Sequence, residues 1–246
     1  MLLCIDIGST NIKLGLFDGD RMCCRWRIST DRTRLADEYA VLALELFAAE
    51  RVPATDVDGC AISSVVPVLT QVFEELARRY LRVDPLILGP GIETGMRIRT
   101  DYPEEVGSDL VMNALAARHL YGLPAIVIGF GTATTFVAVS SSGDIEGVAI
   151  APGVATSGDS LFHATSTLPQ IALVRPKVAI GKNTVASIRA GFVFGFAGLV
   201  KELVARMQFE LGDQHAHVVA TGGLAELIAP EVPEIEAVEP DLALVG

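Results

Sequence analysis

The sequence predicts an α/β protein built from two similar halves. Three observations carry that expectation. Short apolar runs alternate with amphipathic stretches along the whole chain, the pattern of strands and helices in turn. A glycine turn between two apolar runs opens the chain at Asp6-Ile7-Gly8-Ser9-Thr10 and recurs at Gly129-Phe130-Gly131-Thr132-Ala133. Gly8 and Gly131 are 131 − 8 = 123 residues apart, half of the 246, and internal repetition outranks other fold signals. A single open sheet without duplication is the other arrangement this pattern allows.

The elements follow in order. Leu2 to Ile7 and Asn11 to Phe17 read as strands around Gly8-Ser9-Thr10, with Asp18-Gly19-Asp20 as the next turn. Asp37–Glu50 carries apolar residues at helical spacing. Gly59 to Val66 is a buried strand ending at Pro67, Leu69 to Tyr80 a helix, Leu86 to Leu88 a short strand, and Gly89 to Gly95 a glycine-rich loop. Asp109 to Leu120 is helical and joins the halves, giving domains at 1–115 and 116–246. Strands at Ala125 to Ile128 and Thr134 to Val139 follow, then helices near Ser157–Thr167, Thr184–Phe209 and Leu224–Ile228. A strand from His217 to Ala220 runs into Thr221-Gly222-Gly223.

Composition excludes several classes. Half the residues are apolar and the mean hydropathy is +0.45, so the chain is not disordered. Nineteen Lys and Arg against thirty Asp and Glu leave a charge of −11, which repels nucleic-acid phosphates. The densest basic stretch, Arg21 to Arg34, is interrupted by Asp31. The most apolar stretch, Leu123 to Val139, is broken by Gly129, Gly131 and threonines, so it reads as two buried strands and not as a membrane span. Met1 to Asp6 lacks the basic flank of an export signal, which points to the cytoplasm. The four cysteines, Cys4, Cys23, Cys24 and Cys60, have no metal-ligand spacing. His215 and His217 are two ligands without a third.

Two features carry chemistry. A glycine turn between buried strands brings main-chain N–H groups close to a phosphate, and the hydroxyls of Ser9, Thr10, Thr132 and Thr134 add donors. Two such hairpins facing across a cleft would hold a nucleotide's phosphates, with Gly222 and Gly223 beside them. Asp6, at the end of the first strand, is a carboxylate suited to a hydrated Mg²⁺, which takes one or two carboxylates plus phosphate oxygens. Asp109 begins the central helix. There it acts either as a cap or as a base for a substrate hydroxyl, and the helix N-terminus is expected to lower its pKa.

These residues resemble the type III pantothenate kinases, within the acetate kinase, hexokinase and actin-like group. The likeness spans nearly the whole chain. It is carried by Asp6-Ile7-Gly8-Ser9-Thr10-Asn11-Ile12-Lys13, Ile62-Ser63-Ser64-Val65-Val66-Pro67 and Pro103-Glu104-Glu105-Val106-Gly107-Ser108-Asp109 with Asn113-Ala114. Gly131-Thr132-Ala133-Thr134-Thr135, Pro152-Gly153, Leu168-Pro169, Gly181-Lys182-Asn183-Thr184 and Ala220-Thr221-Gly222-Gly223 continue it in order. The resemblance implies duplicated ribonuclease H-like domains facing across a nucleotide cleft. It implies transfer of the ATP γ-phosphoryl group to the primary hydroxyl of pantothenate, with Mg²⁺ and a monovalent cation (K⁺ or NH₄⁺), in a homodimer. Asp109 would be the base and Asp6 would organise Mg²⁺. Gly8, Ser9, Thr10, Asn11, Lys13, Gly131, Thr132, Ala133, Thr134, Gly222 and Gly223 would hold the nucleotide. Thr100, Gly107, Ser108 and Leu110 would line the acceptor pocket, reached by Thr184 from the partner subunit. A further helix is expected after the last residues.

The sequence departs from the family pattern around this site. Leu110 stands where an Arg normally grips the pantothenate carboxylate, and Thr100 where a Tyr lines the pocket. Gly129 replaces an Asp associated with the cation, Ser9 replaces an Asn, and Gly147-Val148 replaces a Gly-Gly pair. A charge-assisted Arg–carboxylate contact is worth roughly 1.5–3 kcal/mol, about tenfold to a hundredfold in affinity. Three readings stand: a pantothenate kinase, a phosphotransferase with another acceptor, and an inactive nucleotide-binding or regulatory relative.

Overall fold

The computed structural model describes residues 1–89, 92 and 94–246. The glycine-rich loop expected at Gly89 to Gly95 therefore lies partly outside the described residues. The chain forms two compact units. One comprises Met1–Thr94, Tyr102–Met112 and Ala243–Gly246, the other Gly95–Asp101 and Asn113–Leu242.

The first unit is built on a five-stranded mixed sheet. Its strands are β1 (Leu2–Ile7), β2 (Asn11–Asp18), β3 (Arg21–Ser29), β4 (Gly59–Ser64) and β5 (Leu86–Leu88), in the order β3-β2-β1-β4-β5. The hairpin partners run antiparallel, and β4 and β5 run parallel to β1. Strand alternation sorts the side chains. Leu3, Ile5, Ile7, Ile12, Leu14 and Leu16 form the core with Tyr39 and Phe47 of α1 (Ala36–Ala49) and Leu69 and Phe73 of α2 (Pro67–Leu76). The start of α2 at Pro67 follows from the preorganised φ of proline at a first helical position. The basic stretch Arg21 to Arg34 resolves into an edge strand. Arg21, Cys23, Arg25 and Arg27 are exposed, while Met22, Cys24, Trp26 and Ile28 are half-buried. This strand was not expected from the sequence, where its charge hid its alternation.

The second unit repeats the first strand for strand. Its sheet comprises β6 (Ala125–Phe130), β7 (Ala133–Val139), β8 (Ile145–Pro152), β9 (His217–Thr221) and β10 (Ala237–Val238), ordered β8-β7-β6-β9-β10. Here β6 takes the place of β1, and the first residues of the two strands are 125 − 2 = 123 apart. The duplicated α/β architecture expected from the two hairpins is thus present, and Leu123 to Val139 is two buried strands. Helix α3 (Ser108–Leu120) precedes β6. Helix α4 (Val154–Ala164) starts three residues earlier than its periodicity indicated, because Gly153 N–H is bonded to Thr132 O at 3.2 Å and anchors the first turn there. The long α5 (Thr184–Leu211) buries Val193, Ala197, Val200 and Val204 against the sheet and ends at Gly212, whose φ is 70°. It is followed by α6 (Ala225–Ile228) and α7 (Leu242–Val245). Among the described residues, no helix is long and apolar enough to cross a membrane.

Trp26, the sole tryptophan, packs on Phe47 with ring centroids 5.3 Å apart. Phe47→Ala should therefore destabilise the first unit by about 3–5 kcal/mol. A urea titration followed by Trp26 fluorescence should show an earlier midpoint.

Candidate active site

Alternation decides where Asp6 goes. Leu3, Ile5 and Ile7 face the helices, so Cys4 and Asp6 face the other side of the sheet. Register then builds a polar row on that side. Asp6 pairs with Lys13 on β2 and Ser63 on β4, and Lys13 pairs with Arg27 on β3. Asp6 and Ser63 are both buried. Ser63 was read only as part of a strand. Its signal was a polar residue in an otherwise apolar run, paired with the one carboxylate of β1.

Ser108 brings α3 to the same place. Its Oγ lies 3.0 Å from Ser63 Oγ and accepts from Ser64 N–H at 3.2 Å. The next residue is Asp109. Its carboxylate folds back over Gly107, where a Cβ would stand 2.5 Å from Asp109 Oδ1. Leu110 N–H and Val111 N–H both bond Gly107 O, closing the first turn. Asp6, Lys13, Ser63, Ser108 and Asp109 thus belong to one unit, and Lys13 acts electrostatically on both carboxylates. Leu110 is buried and belongs to the core.

Burial governs the charge of this group. It pushes Asp6 up to about 6, opposed by Lys13 and assisted by Asp109. Burial also raises Asp109, against the pull of the Leu110 and Asp109 N–H groups and of Lys13. The lowered Asp109 pKa expected from the helix N-terminus is corrected here: the local dipoles do pull downward, but desolvation is larger. A carboxylate in this state is the better proton acceptor near neutral pH.

The first hairpin, closed by Gly8 N–H to Asn11 O at 3.0 Å, exposes Ser9, Thr10 and Asn11. Thr30 braces it from behind, with its Oγ1 donating to Gly8 O at 2.7 Å and its N–H to Thr10 O at 3.0 Å. The second hairpin is one residue shorter. Gly131 N–H reaches Ala133 O at 3.0 Å, and Gly131 and Thr132 are exposed. Thr134 is fully buried, and its hydroxyl donates to Pro152 O. Thr156 Oγ1 donates to Thr132 O at 2.8 Å. The Gly222-Gly223 turn ends β9 beside the base of this hairpin. Gly222 has φ 98°, and a Cβ on it would lie 2.4 Å from Phe130 O. Gly131, Thr132, Gly222 and Gly223 therefore come together in the second unit. Thr184 lies elsewhere in that unit, in a groove of about 890 Å³ between α4 and α5 with Lys182, Phe192 and Phe196. Thr100 follows Arg99, which is anchored on Asp144.

Asp6, a buried carboxylate at the end of β1, is a donor of the kind Mg²⁺ takes. Residue 129 supplies no side-chain ligand for a cation: Gly129 offers only its main-chain carbonyl, and the space for a Cβ is occupied by Thr135 Oγ1 at 2.6 Å. Among the described residues, no group of three or more His, Cys, Asp or Glu is arranged around a metal position. His217 instead pairs with Glu236 at 2.8 Å.

Asp6 yields a test with a defined sign. Its folded pKa is above the unfolded value of 3.8. Its contribution to stability is therefore intact below pH 3.8 and is lost as pH rises through about 6. Asp6→Asn should stabilise the ligand-free protein at pH 7.5 by on the order of 2–3 kcal/mol and change little near pH 4. Thermal melts at the two pH values would show it.

A family model described as type III pantothenate kinase matches residues 2–206. The chain is 49% identical to the type III pantothenate kinase of Moorella thermoacetica over 246 residues, covering all of this chain and 96% of that protein. It is 51% identical to that of Roseiflexus sp., with the same coverage. Among solved structures, a protein of Sinorhizobium meliloti assigned as a 2-dehydro-3-deoxygalactonokinase shares the fold with a TM-score of 0.65 and 18% identity. It is covered over 93% of its length by 99% of this chain. The duplicated sheets, the paired carboxylates and full-length identity near one half lead to one assignment: the chain belongs to the type III pantothenate kinase family.

Proposed function

We propose that the protein is an ATP-dependent kinase that phosphorylates the primary hydroxyl of pantothenate, opening coenzyme A synthesis. The observation that carries this reading is the pairing of Asp6 and Asp109 beside Lys13, within a fold and family whose named relatives are pantothenate kinases. Phosphoryl transfer asks a protein mainly for positioning and charge neutralisation. Asp109 takes the proton of the acceptor hydroxyl as its oxygen forms a bond to the γ-phosphorus. The bond from that phosphorus to the bridging oxygen breaks, and ADP leaves with that oxygen. Asp6 is the residue to hold Mg²⁺, which when bound neutralises phosphate charge. Lys13 adds positive charge beside both carboxylates. In the first unit Ser9, Thr10 and Asn11 offer hairpin donors suited to phosphate; in the second, Gly131, Thr132 and Ala133 do so beside Gly222 and Gly223.

Dimerisation and a cytoplasmic setting belong to the same proposal. Supporting a homodimer, the half-buried Phe192 and Phe196 of α5, stacked at 6.2 Å, line the open groove that also holds Thr184. Lacking a side-chain ligand at Gly129, the enzyme should depend little on a cation at that position. Turnover should change little when potassium is replaced by sodium.

The second reading is favoured by Leu110. Its burial leaves no guanidinium for an acceptor carboxylate. An acceptor alcohol without that carboxylate would then serve nearly as well. The comparison is direct: kcat/KM for pantothenate and for its uncharged alcohol analogue should be similar, where an Arg-bearing pocket would separate them by about tenfold to a hundredfold. A strong preference for pantothenate would reject the second reading.

A coupled ADP-release assay tests the kinase itself. Turnover should require the acceptor and fall by roughly 100-fold to 10,000-fold in Asp109→Asn. The acidic limb of kcat/KM should lie above the ordinary aspartate range, because burial raises Asp109. Absence of turnover with every acceptor, together with retained ATP binding by calorimetry, would mark a nucleotide-binding relative without catalysis.

A further inference from the structure

Each glycine hairpin has a carbonyl turned back onto a threonine hydroxyl. In the first unit that threonine is Thr30, directly after β3. Its Oγ1 donates to Gly8 O at 2.7 Å and its N–H to Thr10 O at 3.0 Å. In the second unit it is Thr156, in the first turn of α4. Its Oγ1 donates to Thr132 O at 2.8 Å, and Gly153 N–H reaches the same oxygen at 3.2 Å.

The N–H bonds are the repeated part. Thr30 and Gly153 are 153 − 30 = 123 residues apart, the offset of the hairpin glycines. Each bond is the rung beyond the last strand pair, Asn11 with Ser29 and Ala133 with Pro152. The hydroxyls are not repeated. Gly153 has no side chain, and a Cβ there would stand 2.3 Å from Thr132 O. The second unit draws its hydroxyl from Thr156, three residues on and on a helix. A hydroxyl on a hairpin carbonyl thus occurs twice by different routes, which duplication of the strands does not require.

Peptide planarity says what such a bond does. In a trans peptide the C=O and the following N–H point in opposite directions. Holding Gly8 C=O toward Thr30 turns the Ser9 N–H away from Thr30, and holding Thr132 C=O toward Thr156 turns the Ala133 N–H away from α4. A carbonyl free to rotate would bring its negative end to where an N–H belongs, and an anion is held by successive N–H groups.

We propose that Thr30 and Thr156 are positioning residues for nucleotide phosphate. Each hydroxyl locks one hairpin peptide with its N–H outward, without itself touching the ligand. This deepens the kinase reading and rests on it.

The test uses the full-length protein with Thr30→Val and Thr156→Val, which keep the branched shape and the main-chain N–H and lose only the hydroxyl. In each, KM for ATP should rise roughly tenfold, the loss expected for one misdirected donor to a charged group, while KM for pantothenate stays the same. Thr30→Ser and Thr156→Ser retain the hydroxyl and should restore KM for ATP to near the native value. Thr70→Val is the control: it removes a bond of the same kind from α2 in the first unit, Thr70 Oγ1 to Val66 O at 3.4 Å, and should change neither KM. Should Thr30→Val fail to fold, Thr156→Val decides, since Thr156 is exposed. Native KM for ATP in the valine variants would overturn the inference and leave the kinase reading intact. A lower melting temperature in Thr30→Val, with KM for ATP no higher than in Thr70→Val, would overturn it too, by showing that the hydroxyl serves the fold alone. Native protein without turnover on pantothenate would remove the kinase reading, and this inference with it.

Discussion

The site depends on burying negative charge. Asp6 and Asp109 are both largely withdrawn from water in the same unit; Asp109 disfavours ionisation of Asp6, and both feel Lys13. Desolvation and like charge push upward, while one lysine and a few N–H groups push downward. The balance leaves both carboxylates incompletely compensated, which makes them costly to the fold in their ionised form.

The sheet makes this arrangement hard to avoid. Once Leu3, Ile5 and Ile7 enter the helical core, Asp6 must project to the opposite face, and strand register adds Lys13 and Ser63 to its row. Ser108 then ties α3 to the end of β4 and sets Asp109 nearby. The placement of both carboxylates thus follows from two ordinary constraints, alternation and register, plus one hydroxyl bridge. The second unit uses the same constraints to a different end. Gly129 occupies the position of Asp6, one residue before Phe130 turns into the core, yet it has no side chain and Thr135 fills the space. The duplicated scaffold is the same in both halves, while the buried carboxylate at this position is present in the first only.

Much of this was legible in the sequence, for reasons that can be named. The two glycine hairpins and their half-chain offset identify the repeat, because a tight turn between apolar runs leaves a strong local signature. The edge strands were harder. Arg21–Ser29 alternates correctly, but its outward arginines read as a basic stretch, and the small residues of Ile145–Pro152 carry weak periodicity. The boundary of α4 shifted because it is set by a bond between Gly153 and Thr132, a contact that spacing cannot reveal. The direction of the Asp109 shift was also beyond the sequence. A helix N-terminus announces its dipole, whereas the burial that outweighs it arises only when the chain is folded.

The departures at Leu110 and Gly129 take on physical meaning from this balance. Leu110 is packed in the core and faces no compensating loss of stability, so an arginine at that position would have to pull a buried residue outward or be desolvated itself. Leucine there extends the buried apolar face of α3, while Asp6 and Asp109 stay where strand alternation, register and the Ser63–Ser108 contact put them. The position of the carboxylates is therefore independent of what residue 110 is, because none of the contacts that set it passes through that side chain.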